Sequence, residues 1–303
     1  MSQVDLRTCF AGLSLKNPVM TASGTFAARE SGEFYDLTRL GAVITRGVAA
    51  KPWPGNPTPR IAETYGGMLN AVGLQNPGAE AYIENELSYL AQYDVPVIAN
   101  LGGHSVEEYV AVTECLNETS VAMFELNISC PNVKEGGIGF GTDPRMAAQV
   151  TGAVKRAAKK PVMVKLTPNV TDITAIARAV EDAGADAISL INTLLGMRID
   201  LKTKRPLLAN GTGGLSGPAI KPVAVRMVYQ VRRAVKLPIL GLGGICTGED
   251  AAEFLLAGAD AVAVGTAALV NPTAPVDVVE ELAAFMAREG YADVAALKAA
   301  FVG

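Results

Sequence analysis

The stretch AGADAISL at residues 183–190 returns as AGADAVAV at residues 257–264. In each copy a segment with helical spacing ends at a glycine, and the chain turns through an aspartate into a short apolar run. We interpret the pair as two copies of one repeated β–α unit. Units of this kind predict parallel strands that are joined by helices.

Eight short apolar runs along the chain fit the strand half of this unit. They lie at residues 19–24, 42–47, 97–103, 122–129, 162–168, 187–193, 239–245 and 261–267. Their apolar residues are continuous rather than alternating, which is typical of parallel strands covered on both faces. Eight such units in a chain of 303 residues predict an α/β fold, a TIM (β/α)8 barrel, that forms one domain over residues 1–303.

Two segments are too long and too rich in proline and glycine for a minimal barrel. Residues 49–78 follow the second predicted strand, and residues 194–218 follow the sixth. Both leave the barrel at its C-terminal face, where the active sites of such barrels are built. Because loops of this length are usually functional or disordered, we expect long loop insertions that cover a ligand.

The composition excludes several classes of protein. With 26 basic and 30 acidic residues the net charge is −4, so a nucleic-acid partner is not expected. No apolar run approaches the roughly 18 residues of a membrane span, and the first residues lack the pattern of a signal peptide. The four cysteines form no C-x-x-C pair and His104 is the only histidine, so no metal site is predicted. We expect a cytoplasmic protein without a membrane partner.

Glycines stand at the ends of the last two predicted strands, each just before a predicted helix. Gly243 and Gly244 lie at the end of the seventh strand, and Gly265 with Thr266 lies at the end of the eighth. Glycine lets the backbone approach a ligand closely, and free N–H groups near a helix start favour an anion. These positions hold a phosphate in many barrels, so we predict a phosphate site here; the alternative is that they are only turn glycines.

Polar side chains stand at the ends of most predicted strands. They are Ser23, Arg46, Asn100, Asn127, Lys165, Asn192 and Thr193. Seven such residues around one rim predict a pocket for a polar, planar ligand. Lys165 lies inside an apolar run, where an unpaired ammonium is costly. It is therefore either a Schiff-base lysine, as in aldolases, or a fixed charge beside a cofactor.

The stretch ELNISCPNVKEGG at residues 125–137 places Cys130 between a predicted strand and Pro131. From this position alone the cysteine could be a buried filler, a metal ligand, a nucleophile or a base. Pro131 favours an extended backbone at Cys130, and the glycines that follow give the chain freedom to move. We therefore predict that residues 130–142 form a lid.

Three stretches together resemble the FMN-dependent dihydroorotate dehydrogenases. They are GNPTPRIAETYGGMLNAVGLQNPG (55–78), ELNISCPNVKEGGIGFGTDP (125–144) and NGTGGLSGPAIKPVAV (210–225), and the resemblance spans about residues 4–270. The cysteine in NISCPN is similar to class 1, because class 2 enzymes have serine there. The continuation after it resembles the catalytic subunit of class 1B.

The resemblance implies a reaction and its partners. It implies oxidation of dihydroorotate to orotate in pyrimidine (UMP) biosynthesis, with one FMN per chain as the hydride acceptor. It also implies a partner subunit that carries FAD and a [2Fe–2S] cluster and passes electrons to NAD. A homodimer at the core of a heterotetramer is the assembly that this implies.

The resemblance also implies roles for individual residues. The positions that match the FMN site are Ser23, Arg46, Gly47, Asn100, Asn127, Lys165, Ile191, Gly217, Gly243, Gly244, Gly265 and Thr266. Those that match the substrate site are Arg46, Asn70, Ala71, Val72, Gly73, Leu74, Asn127, Asn192 and Thr193. Cys130 matches the catalytic base, and a thiol loses its proton near neutral pH more readily than a serine hydroxyl does.

One position departs from the family pattern. The family usually has lysine after the second strand, where this chain has Arg46 in VITRGV. The positive charge is kept, but a guanidinium is bulkier and donates in a fixed fork. A site built around a point charge would have to repack to hold it.

Other functions are compatible with part of the pattern. They are a class 1A enzyme that uses fumarate without a partner, another FMN barrel acting on pyrimidines such as one that reduces RNA uridines, a Schiff-base aldolase, and a non-catalytic phosphate-binding barrel. NVKEGG argues against the first, and the negative net charge disfavours the enzyme that acts on RNA. The last leaves the Cys-Pro-Asn lid unexplained. His104 is interpreted as a structural or rim residue, since this mechanism does not require it.

Overall fold

The structure is a computed structural model that describes residues 4–129 and 137–303. Its described residues form sixteen strands: β1 (Thr8–Phe10), β2 (Leu13–Leu15), β3 (Val19–Thr21), β4 (Val43–Ile44), β5 (Ile61–Thr64), β6 (Gly67–Asn70), β7 (Val97–Leu101), β8 (Met123–Asn127), β9 (Val162–Lys165), β10 (Ala187–Leu190), β11 (Leu194–Gly196), β12 (Ile199–Asp200), β13 (Arg205–Pro206), β14 (Gly213–Ser216), β15 (Ile239–Leu242) and β16 (Ala261–Val264).

The same ranges contain twelve α-helical segments: α1 (Ala28–Gly32), α2 (Ala79–Ala81), α3 (Ser88–Leu90), α4 (Val106–Leu116), α5 (Gly137–Thr142), α6 (Pro144–Ala157), α7 (Ile173–Asp182), α8 (Lys221–Arg232), α9 (Gly248–Leu256), α10 (Ala267–Val270), α11 (Ala274–Glu289) and α12 (Val294–Ala299). A π-helical turn, Tyr82–Leu87, joins α2 to α3, and two short 3-10 turns lie at Leu37–Arg39 and Pro218–Ile220. Across the described residues, the helices are too short or too polar to cross a membrane.

Eight of the strands form one parallel sheet in the order β3–β16–β15–β10–β9–β8–β7–β4. A parallel bridge between Met20 and Ala42 joins its two edge strands, so the sheet closes into a barrel. Each of the eight predicted apolar runs supplies one of these strands. The predicted TIM barrel is confirmed.

The barrel strands are buried on both faces, as continuous apolar runs require. Along β8, Phe124 and Leu126 pack into the large cluster beneath the surrounding helices, whereas Met123 faces the barrel interior. Fully burying a side chain such as Phe124 contributes about 1.5–3 kcal/mol. The alternation along each strand therefore divides the core into an outer layer under the helices and an inner layer inside the barrel.

The two AGADA repeats form the same turn. Gly184 and Gly258 end their helices with φ angles of +92° and +111°, a conformation that glycine adopts without strain. Asp186 then accepts a hydrogen bond from the first N–H of β9 at 2.6 Å, and Asp260 accepts one from the first N–H of β15 at 2.8 Å. Each aspartate thus provides a hydrogen-bond acceptor for the first backbone N–H of the neighbouring strand.

The N-terminal end of the barrel is closed by the β1–β2 hairpin. Phe10 and Leu15 of this hairpin are 0% and 3% exposed. They belong to the cluster inside the barrel. Its other members include Met20, Ile44, Ile98, Met123, Met163, Ala187, Leu240 and Ala261. This end is filled by apolar side chains and serves stability.

The two long insertions at the C-terminal end contain short strands as well as loops. Residues 49–78 contain β5 and β6, and residues 194–218 contain β11 to β14. Strands β11, β14, β6 and β5 pair in that order as an antiparallel sheet, and β12 pairs with β13. Most of these pairs lie within one insertion, and the pairing of β6 with β14 joins the two insertions to each other. The predicted long insertions at the C-terminal face are confirmed, and their short strands were not predicted.

Candidate active site

A cavity of about 470 Å³ lies at the C-terminal end of the barrel, between the strand ends and the inserted sheet. Its size is typical of small-molecule sites, which measure roughly 300–1,000 Å³. Of the residues predicted from the sequence, it is lined by Ser23, Arg46, Gly47, Asn70, Val72, Gly73, Leu74, Asn100, Asn127, Lys165, Ile191, Asn192, Thr193, Gly217, Gly243, Gly244, Gly265 and Thr266.

Two predicted site residues are not among the lining residues. Ala71 is buried and packs with Leu69 and Leu208 under the inserted sheet, because it points away from the face that carries Asn70. Cys130 lies outside the described residues, as do the other residues of the predicted lid up to residue 136. The rest of that segment forms α5.

The strand ends place amide side chains side by side in the cavity. Asn127 Nδ2 donates to Asn100 Oδ1 at 3.4 Å, and Asn192 Nδ2 donates to Ser129 Oγ at 2.8 Å. Asn127 Oδ1 accepts from Ser129 Oγ at 3.0 Å, while Asn192 Oδ1 accepts from the Thr193 N–H at 2.8 Å. The amides are tied to one another, so they present fixed donors and acceptors to a ligand.

Lys165 brings a buried positive charge to this ring of amides. Its side chain ends β9 and the residue is only 4% exposed. The Nζ donates to Ser23 Oγ at 3.0 Å, and in the described ranges no acidic side chain forms an ion pair with it. An ammonium with a single hydroxyl partner is costly to bury, so the site is suited to a ligand that carries or develops negative charge.

The ends of β15 and β16 form a cradle of backbone N–H groups. Gly243 and Gly244 have φ angles of +126° and +87°, and a Cβ on Gly243 would lie 2.9 Å from Ala224 Cβ. In the part of the chain that the structure describes, the N–H groups of Gly243, Gly244, Gly265 and Thr266 donate no hydrogen bond to another protein group. Four unsatisfied donors beside a cavity suit a phosphate.

The start of α9, by contrast, is already occupied by carboxylates. Asp250 accepts from the N–H groups of Cys246 and Thr247 at 2.9 and 3.0 Å, and Glu281 accepts from the N–H of Gly248 at 2.8 Å. Burial, with the charge of Asp250 nearby, raises the pKa of the Cys246 thiol. Within the described residues, the N–H groups that remain free for an anion are therefore those of the two strand-end turns and not those of this helix.

The segment that carries Asn70 to Leu74 is held from behind by polar anchors. Asn76 is buried, and its Oδ1 accepts from the N–H groups of Ala49 and Gly78 at 3.1 and 3.0 Å. Arg60 donates to Gln75 Oε1 at 2.6 Å and to a backbone carbonyl of the preceding loop. These anchors fix the backbone of the segment, so the guanidinium of Arg60 acts on the loop rather than as a free cation.

Arg46 lines the cavity and is exposed to it. The charge of Arg46 also acts on Glu86, which lies in the π-helical turn. Burial raises the pKa of Glu86, and the positive charge of Arg46 opposes that rise. One carboxylate oxygen of Glu86 is buried without a hydrogen-bond partner in the described structure. Glu86 thus lies in surroundings that disfavour its charged form.

His104 lies outside the cavity lining. Its ring stacks on Trp53 with the ring centroids 3.9 Å apart, and its Nδ1 lies 3.4 Å from Glu108 Oε2. The contacts agree with the interpretation of His104 as a structural residue.

Several lining residues were not predicted from the sequence. They are Ala22, Gly24, Thr25, Arg60, Ile61, Met68, Gln75, Ser216, Ile220, Leu242, Ala263 and Leu269. Ser216 shows why: it lies on inserted strand β14 and accepts a hydrogen bond from Thr266 Oγ1 at 2.7 Å. Nothing in the local pattern indicates that the inserted sheet reaches the end of β16.

Comparisons with known proteins agree with this architecture. A family model described as dihydroorotate dehydrogenase matches residues 5–286. The dihydroorotate dehydrogenase B (NAD(+)) catalytic subunit of Alkaliphilus metalliredigens is 59% identical over 295 residues, which cover 97% of this chain and 98% of that protein. The protein of the same name from Geobacillus kaustophilus is 59% identical over 277 residues, or 91% of this chain and 88% of that protein.

A solved structure supports the fold. The crystal structure of DHODH from Eimeria tenella in complex with ferulenol superimposes with a TM-score of 0.81, covering 98% of this chain and 88% of that one. At 22% sequence identity this similarity concerns the fold alone. The family match and the close relatives extend over nearly the whole sequence, and the chain belongs to the dihydroorotate dehydrogenase family.

Proposed function

We propose that this chain is the FMN-binding catalytic subunit of a class 1B dihydroorotate dehydrogenase, oxidising dihydroorotate to orotate in pyrimidine biosynthesis. One observation carries the proposal: a single cavity combines a cradle of unsatisfied N–H groups, a ring of tied amides and a buried cation, Lys165. A phosphorylated cofactor and a planar polar substrate together need these three features. The name of the relatives, which are catalytic subunits linked to NAD(+), agrees with it.

The residues present fit FMN. The N–H groups of Gly243, Gly244, Gly265 and Thr266 would hold its phosphate, since they have no protein acceptor in the described structure. The remaining groups proposed to hold the cofactor are Ser23, Arg46, Gly47, Asn100, Asn127, Lys165, Ile191 and Gly217. When bound, FMN supplies the two-electron acceptor that the oxidation requires.

We assign the substrate to the amide side of the cavity. Asn70, Asn127, Asn192 and Thr193 would bind the ring of dihydroorotate, whose alternating carbonyl and N–H groups match amide donors and acceptors. The segment Ala71–Leu74 would contribute backbone groups, because the Ala71 side chain is turned into the inserted sheet. Lys165 and Arg46 would stabilise the negative charge that a bound flavin would acquire on accepting a hydride.

We assign the proton transfer to Cys130, which lies outside the described residues. The substrate must lose a proton from C5, and a thiolate of Cys130 would accept it on sulfur. Cys130 follows Ser129, whose hydroxyl and N–H are fixed on Asn127 Oδ1 at 3.0 and 3.3 Å. These hydrogen bonds hold the residue before Cys130 beside Asn127, which lines the cavity.

We also propose the partners that the resemblance implies. These are an electron-transfer subunit with FAD and a [2Fe–2S] cluster, and a second copy of this chain in a heterotetramer. A class 1A enzyme is the alternative, working without that subunit and using fumarate. Purification of the chain from its native host separates them, because class 1B predicts a second, iron–sulfur subunit in the same complex.

The central test is spectroscopic. The purified chain should be yellow, with a flavin spectrum, and anaerobic dihydroorotate should bleach it while orotate appears. A colourless protein that substrate and borohydride inactivate together would indicate the Schiff-base alternative at Lys165. A yellow protein that dihydroorotate leaves unbleached would reject the proposed substrate.

Substitution of Cys130 tests the base. The Cys130→Ala protein should keep its FMN and lose flavin reduction by roughly 10²–10⁴-fold, the usual contribution of a general base. Cys130→Ser should keep residual activity that improves at higher pH, because a hydroxyl is harder to deprotonate. Cys115→Ala is the matched control, since that cysteine is exposed on α4. Reduction at the normal rate in Cys130→Ala would reject the assignment.

A further inference from the structure

Glu125 is a carboxylate inside the barrel, one layer below the cavity. It lies on β8 between Met123 and Asn127 and is 0% exposed. Within residues 4–129 and 137–303, no basic side chain forms an ion pair with it. Burying a carboxylate without a cation is costly, and packing alone would be served better by an apolar residue. Its position therefore calls for a role that an apolar residue could not fill.

The two oxygens of Glu125 are both taken by donors from the neighbouring strands. Oε1 accepts from Ser189 Oγ at 2.7 Å, and Oε2 accepts from Asn100 Nδ2 at 2.6 Å. In these two contacts both oxygens of Glu125 accept, and a carboxyl oxygen that carries no proton can only accept. Glu125 therefore dictates the orientation of the Asn100 amide, with the nitrogen toward Glu125 and the oxygen toward the cavity.

This orientation is passed along the amides of the cavity. Because Asn100 presents Oδ1, Asn127 must turn its Nδ2 toward it, as the 3.4 Å contact shows. Asn127 Oδ1 then accepts from Ser129 Oγ at 3.0 Å and from Asn192 Nδ2 at 3.5 Å. Each amide has its two ends assigned by the previous one. We call these five residues, Glu125, Asn100, Asn127, Ser129 and Asn192, the amide relay.

We propose that Glu125 is a positioning residue that sets the polarity of the amide relay and thereby the pattern of donors offered to the substrate. An amide nitrogen carries two hydrogens, and Asn127 uses one of them toward Asn100. The second is available to an oxygen atom of the ligand. The identity of that ligand rests on the proposed function, whereas the relay itself does not.

The variant Glu125→Gln tests this role with almost no change of shape. A glutamine can turn either its oxygen or its nitrogen toward Asn100, so the relay can reverse and Asn127 can present its oxygen to the ligand. Orotate should bind the FMN-loaded protein about tenfold more weakly, which corresponds to one mispaired buried hydrogen bond. Titration of the flavin absorbance measures this constant on loaded molecules only.

Ser189→Ala is the matched control. It removes the other hydrogen bond to the same carboxylate but leaves the contact with Asn100 in place. Its orotate constant should stay within about twofold of that of the unaltered protein, since the relay is intact. Equal weakening in Ser189→Ala and Glu125→Gln, or an unchanged constant in Glu125→Gln, would overturn the proposal.

A charge swap tests the polarity directly. Asn100→Asp alone places two carboxylates against each other and should disrupt the relay most. Combined with Glu125→Gln, the carboxylate moves to position 100, where it again accepts from Asn127 while the new amide donates to it. The double variant should recover orotate affinity and melt at a higher temperature than Asn100→Asp. Additive losses would overturn the relay, and the melting data decide this even if orotate proves not to be the ligand.

Discussion

The two ends of this barrel use the same strands for opposite purposes. At the N-terminal end, Met123 of β8 and Met163 of β9 lie in an apolar cluster closed by Phe10 of the hairpin. Two or four residues further along the same strands lie Lys165 and Asn127, at the floor of the cavity. Two residues advance a strand by about 6.6 Å, so a short step along the strands separates packing from chemistry.

The difference indicates where stability and function reside. The closed end buries apolar surface without unmet polar groups among its named members, and so contributes favourably to folding. At the open end, within residues 4–129 and 137–303, Lys165 has a single hydroxyl partner and four N–H groups have no protein acceptor. Such groups lower stability until a ligand satisfies them. Substitutions at the two ends should therefore separate the free energy of unfolding from ligand binding.

The largest effect on stability is expected at the closed end. Phe10→Ala should lower the free energy of unfolding by about 3–5 kcal/mol, because it leaves a cavity in the cluster inside the barrel. Thermal and denaturant unfolding measure this, and flavin content and orotate affinity should be unchanged below the transition. Phe301→Ala is the control, since Phe301 is 45% exposed. Loss of flavin from folded Phe10→Ala would show that the two ends are not separable.

The converse is expected at the open end. Lys165→Met should slow flavin reduction by roughly 10²–10³-fold, the usual effect of removing one preorganised electrostatic group. Its melting temperature without ligand should equal or exceed that of the unaltered protein, because a buried ammonium is removed. Lys16→Met, at an exposed ion pair with Asp94, is the control and should change neither quantity. A marked loss of stability in Lys165→Met would contradict the division between the ends.

The closed barrel could be predicted from the sequence because its signal is local. A parallel strand that is covered on both faces is a continuous apolar run, and each run can be recognised from its own residues alone. The strands of the inserted sheet show no such apolar run. Its strand β14 reads GGLS, and Gly214 pairs with Asn70, a residue 144 positions away. Pairing at that distance between glycine-rich segments leaves no pattern in either segment.

The site divides in the same way. Residues at strand ends could be predicted to converge because a barrel brings those ends together, and Asn100, Asn127, Lys165 and Asn192 do line one cavity. Glu125 lies two residues before Asn127, but the sequence does not single it out, because it is one charge inside an apolar run. Its meaning depends on Ser189 and Asn100, which only the fold brings near it.

Arg46 allows a smaller test of the open end. Arg46→Lys keeps the charge but loses the fixed fork of donors, so in a cavity shaped around the guanidinium we expect dihydroorotate to bind a few-fold more weakly, within about tenfold. The rate at saturating substrate should change little. Arg46→Met removes the charge, so it should lower both the affinity for dihydroorotate and the rate at saturating substrate more than Arg46→Lys does. Tighter binding in Arg46→Lys would show that the cavity is still shaped for the lysine that is usual in the family.

The smallest effect is expected at Glu86, where the open end disfavours a charge. Burial holds the pKa of this carboxyl above its ordinary value of 4.5. The unfolded chain therefore releases the proton at a lower pH than the folded chain, and the stability contributed by Glu86 falls as pH rises through that interval. Glu86→Gln, which never ionises, should melt at a higher temperature than the unaltered protein at pH 8, and the gap should close toward pH 4.5.

Two comparisons sharpen this pH test. Glu84→Gln, at an exposed position of the same π-helical turn, should show no such gap at any pH. The charge of Arg46 lowers the pKa of Glu86, so in an Arg46→Met background the gap at pH 8 should widen. If the difference in melting temperature were the same at every pH, Glu86→Gln would act through shape or hydrogen bonding. The charge of Glu86 would then not be the cause of the lower stability.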